Sequence, residues 1–160
     1  MTDITIRPVA LYEAPIVARH RLRMFEEMGE VPPALAGELE RASARVLSAL
    51  LASGEYQGWF AETPAGEVVA GAGVHIKPQL PRIAPGAGRV ASDDVPLVVN
   101  VWTEPEWRGQ GLARALMRHL MDWSHGQGFD RVVLHASDAG RPLYTSLGFS
   151  PTNEMRWVPQ

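Results

Sequence analysis

The residue pattern predicts a single α/β domain spanning residues 1–160. Two observations carry this reading. Hydrophobic periodicity switches between the two-residue repeat of strands and the 3.6-residue repeat of helices, in the order strand, two helices, three strands, helix, strand, helix, strand. Within that order, residues 97–136 form a strand–helix–strand unit, the crossover that parallel pairing requires. Size agrees: 160 residues, 46% hydrophobic and 21% charged, suffice for one core in an ordinary globule.

The elements follow in chain order. Met1-Thr2-Asp3-Ile4 opens directly into a short strand, Ile4-Thr5-Ile6-Arg7-Pro8. From Tyr12 to about Met28, Val17, His20, Met24 and Met28 keep helical spacing, and Gly29 can end that helix. After Pro32-Pro33, the residues Leu35, Leu39, Ala42, Val46 and Leu50 mark a second helix that stops before Gly54. Gly58 to Glu62 and Val68 to Ile76 read as strands joined across Pro64-Ala65-Gly66. Residues 78–96 break the pattern with four prolines, Gly86, Gly88 and Asp93-Asp94, and a long irregular loop of this kind is expected to be functional or disordered. Leu97 to Thr103 is β-branched and apolar, as a strand buried on both faces would be. Leu112, Leu116, Leu120 and Trp123, widened by Ala113, Met117 and Met121, make the apolar stripe of a third helix, with Gly126 at its end. Arg131 to Ala136 is the second crossover strand, a short helix begins near Pro142, and Met155-Arg156-Trp157-Val158 reads as a last strand.

Arg108-Gly109-Gln110-Gly111-Leu112-Ala113 lies between the crossover strand and its helix. Two glycines one residue apart leave the backbone bare, so that its N–H groups can turn on an anion. The helix adds its unpaired first-turn N–H groups and the positive end of its dipole, and Arg108 adds a guanidinium at the rim. The combination suits a pyrophosphate. A Walker loop needs Lys and Ser or Thr after the second glycine, where this chain has Leu112 and Ala113. A dinucleotide fingerprint needs a small residue where this chain has Arg114, although Asp130 stands at a distance suited to a ribose contact. The Arg-x-x-Gly-x-Ala signature fits at every fixed position.

With Thr103-Glu104-Pro105-Glu106-Trp107 leading into that signature and Leu143-Tyr144-Thr145-Ser146-Leu147-Gly148-Phe149 about thirty residues on, the chain resembles the GNAT superfamily of acyl-CoA-dependent N-acyltransferases over most of residues 95–150. The resemblance implies a GNAT fold: a central mixed, mostly antiparallel twisted sheet of six to seven strands flanked by about four helices. It implies acetyl-CoA as cosubstrate, held by Val101, Trp102, Thr103, Arg108, Gly109, Gln110, Gly111, Leu112, Ala113 and Arg114, with an amine as acceptor. A backbone N–H near Val101 or Trp102 would polarise the thioester carbonyl, and the Tyr144 hydroxyl would protonate the leaving sulfur. Where relatives often place an Asn seven residues before the tyrosine, this chain has Ser137, a further cofactor contact on this reading. Glu26 and Glu27 fall where relatives shape the acceptor pocket, two carboxylates there would recognise an ammonium group, and the resemblance puts the 78–96 loop on the side where the acceptor would enter. By analogy a homodimer is possible.

Amine acylation also needs a base, because an amine near pKa 10 is protonated at neutral pH. Many relatives carry a carboxylate on the central strand; here the residue is Asn100, which positions water but takes no proton. Glu104, Glu26, Glu27, Asp94, His75 and His135 have the right chemistry and stay open as candidates, although His75, among apolar neighbours, reads better as a packed histidine. A second reading, an acyl-CoA-binding GNAT module without turnover, draws on that missing carboxylate. No cysteine is present, which excludes a disulfide framework and a thiolate nucleophile. A net charge of −3 argues against nonspecific nucleic-acid binding. No metal is expected. With no leader and no apolar run of membrane length, the protein is expected to be cytoplasmic and away from membranes.

Overall fold

The computed structural model describes residues 3–86 and 88–160, so Met1 and Thr2 of the opening segment lie outside the described residues. Its strands are β1 (Thr5–Pro8), β2 (Tyr56–Glu62), β3 (Val68–Lys77), β4 (Arg82–Ile83), β5 (Val90–Ala91), β6 (Val95–Thr103) and β7 (Val133–Leu134). The helices are α1 (Ala14–Glu27), α2 (Ala36–Ser53), α3 (Leu112–Gly126) and α4 (Arg141–Ser146). Five strands form one sheet in the order β1-β2-β3-β6-β7, antiparallel except for the parallel β6–β7 pair, while β4 and β5 form a separate hairpin. The mixed, mostly antiparallel sheet with four helices is the predicted architecture, with its seven strands divided five and two.

Side-chain alternation on β2 sorts the core into two layers. Trp59 and Ala61 pack with Val69, Val74, Leu116, Met117 and Leu120 on the α3 face. Tyr56 and Phe60 pack with Val17, Ala18, Leu47 and Leu51 on the α1–α2 face. On α2 the buried residues are Ser43, Leu47 and Leu51, whereas Val46 and Leu35 are exposed. The expected stripe is therefore one residue, about 100°, off the true core face; alanines and leucines on both flanks leave the sequence periodicity degenerate. Gly54, at φ 79°, closes α2 in the left-handed conformation that a glycine adopts without strain.

Three expectations are corrected. The second crossover strand is two residues long, not six, because β7 pairs with β6 only through Leu97↔Val133 and Val98↔Leu134. Residues 151–160 form no strand; Met155 and Trp157 are almost fully exposed and find no partner strand among the described residues. The 78–96 segment is not wholly irregular. It carries the β4–β5 hairpin, which Arg82 pins by binding Asp130 and the Asp93 carbonyl just before β6.

Candidate active site

The central feature is a β-bulge in β6. Gly71 of β3 stands opposite Trp102 and Gly73 opposite Val99, so that Ala72 faces two residues, Asn100 and Val101. Asn100 has φ 58°, the only described non-glycine residue in the left-handed region, which Asn tolerates far better than a β-branched neighbour would. The bend moves β6 away from β7, whose pairing stops at Val98↔Leu134. From Val99 to Thr103 the β7-facing edge of β6 is open.

Alternation decides which N–H groups face that slot. The Glu104 N–H donates to the Val69 carbonyl of β3 at 2.9 Å, so Thr103 faces the opposite way, and its carbonyl accepts from Arg108 Nε at 3.0 Å. Counting back two residues turns the Val101 N–H to the slot and the Trp102 N–H toward β3. Of the two expected donors, Val101 is the one aimed at the opening.

Beyond β6, Gly109 and Gly111 adopt φ 75° and 81°, and a Cβ built on either would meet nothing within 4 Å. Gly111 is the N-cap of α3. Among the described residues, no acceptor takes the N–H groups from Gly109 to Arg114; the first bonded amide is Ala115, to the Gly111 carbonyl at 3.0 Å. Six consecutive donors, Gly109, Gln110, Gly111, Leu112, Ala113 and Arg114, thus lie at the positive end of a helix dipole. An open, bare-backbone cradle of this kind fits a diphosphate.

Arg108 is not free at the rim, as its sequence position implied. Its guanidinium forks onto Glu27 at 2.9 and 2.7 Å and stacks 4.8 Å over the Trp102 ring, tying the loop to the end of α1. Glu27 is held below the usual carboxylate range by that pair, and both Glu26 and Glu27 line the cavity described below. Arg114 donates to Ser146 Oγ at 2.8 Å and joins α3 to α4. Ser137 Oγ accepts the Gly140 N–H at 3.1 Å and opens the turn into α4.

Tyr144 of α4 packs against the α3-face core, edge-on to Phe149 at 6.1 Å, and its hydroxyl has no hydrogen-bond partner among the described residues. Burial raises its pKa above the ordinary phenol value, which keeps the proton on oxygen. Gly140 leaves room for the ring; a Cβ there would lie 2.8 Å from the Tyr144 ring.

Asn100 is buried and engaged at both ends of its amide: Arg21 donates to Oδ1 at 2.9 Å, and Nδ2 donates to the Tyr56 hydroxyl at 3.4 Å. Tyr56 is fully buried, its pKa pushed up to about 12 by desolvation. Asn100 therefore braces the bulge, and its amide keeps one further N–H and one further lone pair uncommitted among the described residues. Sequence reasoning missed Arg21 and Tyr56, because nothing local marks residues that meet 79 and 44 positions away.

On the α1 side of the slot a cavity of about 700 Å³ is lined by Arg19, Leu22, Arg23, Glu26, Glu27, Glu40, Trp102 and Pro105. Arg23 pairs with Glu104 at 3.3 Å beside it. Among the candidate bases, Glu26, Glu27 and Glu104 stand here. His135 instead pairs with Glu154 at 3.0 Å on the surface, His75 lies opposite Leu97 toward the far end of the sheet, and Asp94 sits beyond the hairpin.

The sequence model of the acetyltransferase (GNAT) family matches residues 21–149, which contain the bulge, the glycine loop and Tyr144. The chain belongs to that family. It is similar to a glucosamine 6-phosphate N-acetyltransferase of Trypanosoma brucei brucei, 28% identical over 149 residues that cover 93% of this chain and 92% of the relative. Among solved structures it is similar to a GCN5-related N-acetyltransferase from Ralstonia eutropha JMP134, with a TM-score of 0.86 at 29% identity over 98% of this chain and 99% of that one. A predicted acetyltransferase from Clostridium acetobutylicum, solved with acetyl-CoA, shares the fold with a TM-score of 0.82 at 23% identity, covering 98% of this chain and 96% of that one. In this GNAT acetyltransferase, the open edge of β6 and the glycine turn lie between Val99 and Arg114, and Trp102 and Pro105 between them line the α1 cavity. Among the described residues no helix is long and apolar enough to cross a membrane.

Proposed function

We propose that this acetyltransferase moves an acetyl group from acetyl-CoA to the primary amine of a small molecule or peptide, by direct attack in a ternary complex in the cytoplasm. The observation that carries the reading is the run of six N–H groups from Gly109 to Arg114, at the start of α3, that have no partner among the described residues. The Clostridium neighbour, solved with acetyl-CoA, and the Trypanosoma relative, named for an amine substrate, point the same way.

Acetyl-CoA supplies an activated thioester; the chain's residues do the rest. The cradle binds the diphosphate through backbone donors that need no reorganisation. The Val101 N–H, facing the slot, stabilises negative charge on the carbonyl oxygen. Tyr144, kept protonated by burial, delivers its proton to the departing sulfur, a slightly uphill transfer between a phenol and a thiol of pKa about 8.5. Glu26 and Glu104 lie on the cavity side, where an incoming ammonium must lose its proton. Holding both reactants across one slot lowers the entropic part of the barrier.

A second reading, a GNAT module that binds acyl-CoA without turnover, is favoured by Asn100, whose amide binds Arg21 and Tyr56 on a strand with no carboxylate. Release of CoA in the presence of an amine panel separates the two. Amine-dependent release supports the transferase, and acetyl-CoA binding without any release supports the module.

A further inference from the structure

We infer that Arg21 is a positioning residue for the transfer: through Asn100 it fixes the β6 bulge that aims the Val101 N–H at the thioester carbonyl. This rests on the proposed transferase reading and adds a residue of α1 to its machinery.

The ladder shows what has to be held. Val98 and Val101 pack on the α3 face and Val99 on the α1–α2 face, where Asn100 also meets its partners. Two successive residues, Val99 and Asn100, thus point to one side, as a bulge requires. In a regular ladder Val101 would stand opposite Gly71, the place that Trp102 holds, with its N–H turned to β3. The extra residue is therefore what turns that N–H to the open edge. It does so through a left-handed Asn100, φ 58°, a conformation that persists only where the surroundings hold it.

Arg21 holds it from α1. The residue is half-buried, it makes no ion pair among the described residues, and its hydrogen bond there goes to Asn100 Oδ1 at 2.9 Å. Its guanidinium stacks 4.6 Å over the Phe25 ring, one turn further along α1, which fixes its direction. Desolvation lowers its pKa from the ordinary guanidinium value, and a carboxylate partner would relieve that strain. The charge is committed instead to the amide at the bulge. Tyr56 supports the other end of that amide, accepting from Asn100 Nδ2. Glycines make room for this arrangement: a Cβ on Gly73 would collide with the Tyr56 hydroxyl, and one on Gly58 would lie 2.8 Å from the Tyr56 ring. At Gly71 a Cβ would lie 3.0 Å from Nδ1 of His20, the neighbour of Arg21 on α1.

The test compares Arg21→Met, Arg21→Lys, Asn100→Gly and the double variant Arg21→Met with Asn100→Gly, since glycine keeps the left-handed backbone without strain. Turnover is read with the most active of glucosamine 6-phosphate, putrescine and an alanine-terminated peptide. Arg21→Met should lower kcat by at least about tenfold while the amine KM and the acetyl-CoA Kd stay within about threefold. Arg21→Lys, which keeps a charged donor, should recover most of the loss. In the Asn100→Gly background Arg21→Met should change kcat by less than about twofold, because the residue it acts through is gone. By nitrogen–proton NMR, the Val101 amide should shift on adding acetyl-CoA in the wild type and in Arg21→Lys, and lose most of that shift in Arg21→Met. A wild-type kcat in Arg21→Met, a loss that Arg21→Lys does not recover, an equal loss in the Asn100→Gly background, or a loss matched in acetyl-CoA affinity overturns the inference. Absence of CoA release by the wild type with all three amines overturns the transferase reading instead. The Val101 shift then decides the brace: its loss in Arg21→Met upholds the positioning role, and an equal shift in both proteins overturns it.

Discussion

Asn100 carries three demands at once: a left-handed backbone, a hydrogen bond from Arg21 and one to Tyr56. Asn100→Val should cost roughly 3 kcal/mol or more in denaturant unfolding, adding backbone strain to two stranded buried partners. A neutral result would show that the bulge is not braced there. Tyr144→Phe removes one oxygen from a site where burial keeps the phenol protonated. Its kcat should fall by about 10²–10⁴-fold with acetyl-CoA affinity retained. Because the active form is the protonated one and its pKa is raised, the wild-type alkaline limb assigned to this group should lie above the ordinary phenol value near 10. Unchanged turnover in the variant would remove Tyr144 from the mechanism. His20 is buried against Phe60, and its pKa is lowered to about 4, chiefly by desolvation. The unfolded chain binds that proton near pH 6.5 and the folded one only near 4, so stability rises with pH across that window. Relative to His20→Gln, the wild type should lose roughly 3 kcal/mol more as pH falls from about 6.5 to below 4. Parallel stability–pH curves for the two proteins would refute this.

At the scale of elements, the proposed function makes the glycine turn and α3 one binding unit. Gly109 and Gly111 need positive φ, and Gly111→Asp would add a strained backbone and a negative charge beside the diphosphate. Acetyl-CoA affinity should drop by at least a hundredfold while circular dichroism stays native; normal affinity would show that this loop does not hold the diphosphate. The glycine loop and the α3 stripe were legible from the sequence because both are local: spacing alone puts Leu116, Met117 and Leu120 on one face and bare amides at the helix start. The β4–β5 hairpin was not legible. Its position depends on Arg82 reaching Asp130 across 48 residues, and proline-rich sequence reads as irregular whichever end of the sheet it caps.

For the whole molecule, α3 covers one face of the sheet and α1 and α2 cover the other. Ligand binding to the folded state alone raises stability by RT ln(1 + [L]/Kd), about 2.7 kcal/mol at a hundredfold excess over Kd. For a 160-residue chain, that predicts an acetyl-CoA-induced Tm rise of roughly 5–10 °C. Differential scanning fluorimetry would show it, and NAD at the same excess should give none.

Periodicity by itself determined the fold class, and the Arg108–Ala113 signature with the Leu143–Phe149 segment marked the family and the candidate site residues, because each is a local pattern of chain. The tertiary structure alone decided how the charges are used. It paired Arg108 with Glu27 and Arg23 with Glu104, and it engaged Asn100 with Arg21 and Tyr56. The reason is physical: an ionised or polar group's role follows from the partner that compensates it, and such partners come from distant elements that sequence spacing does not bring together.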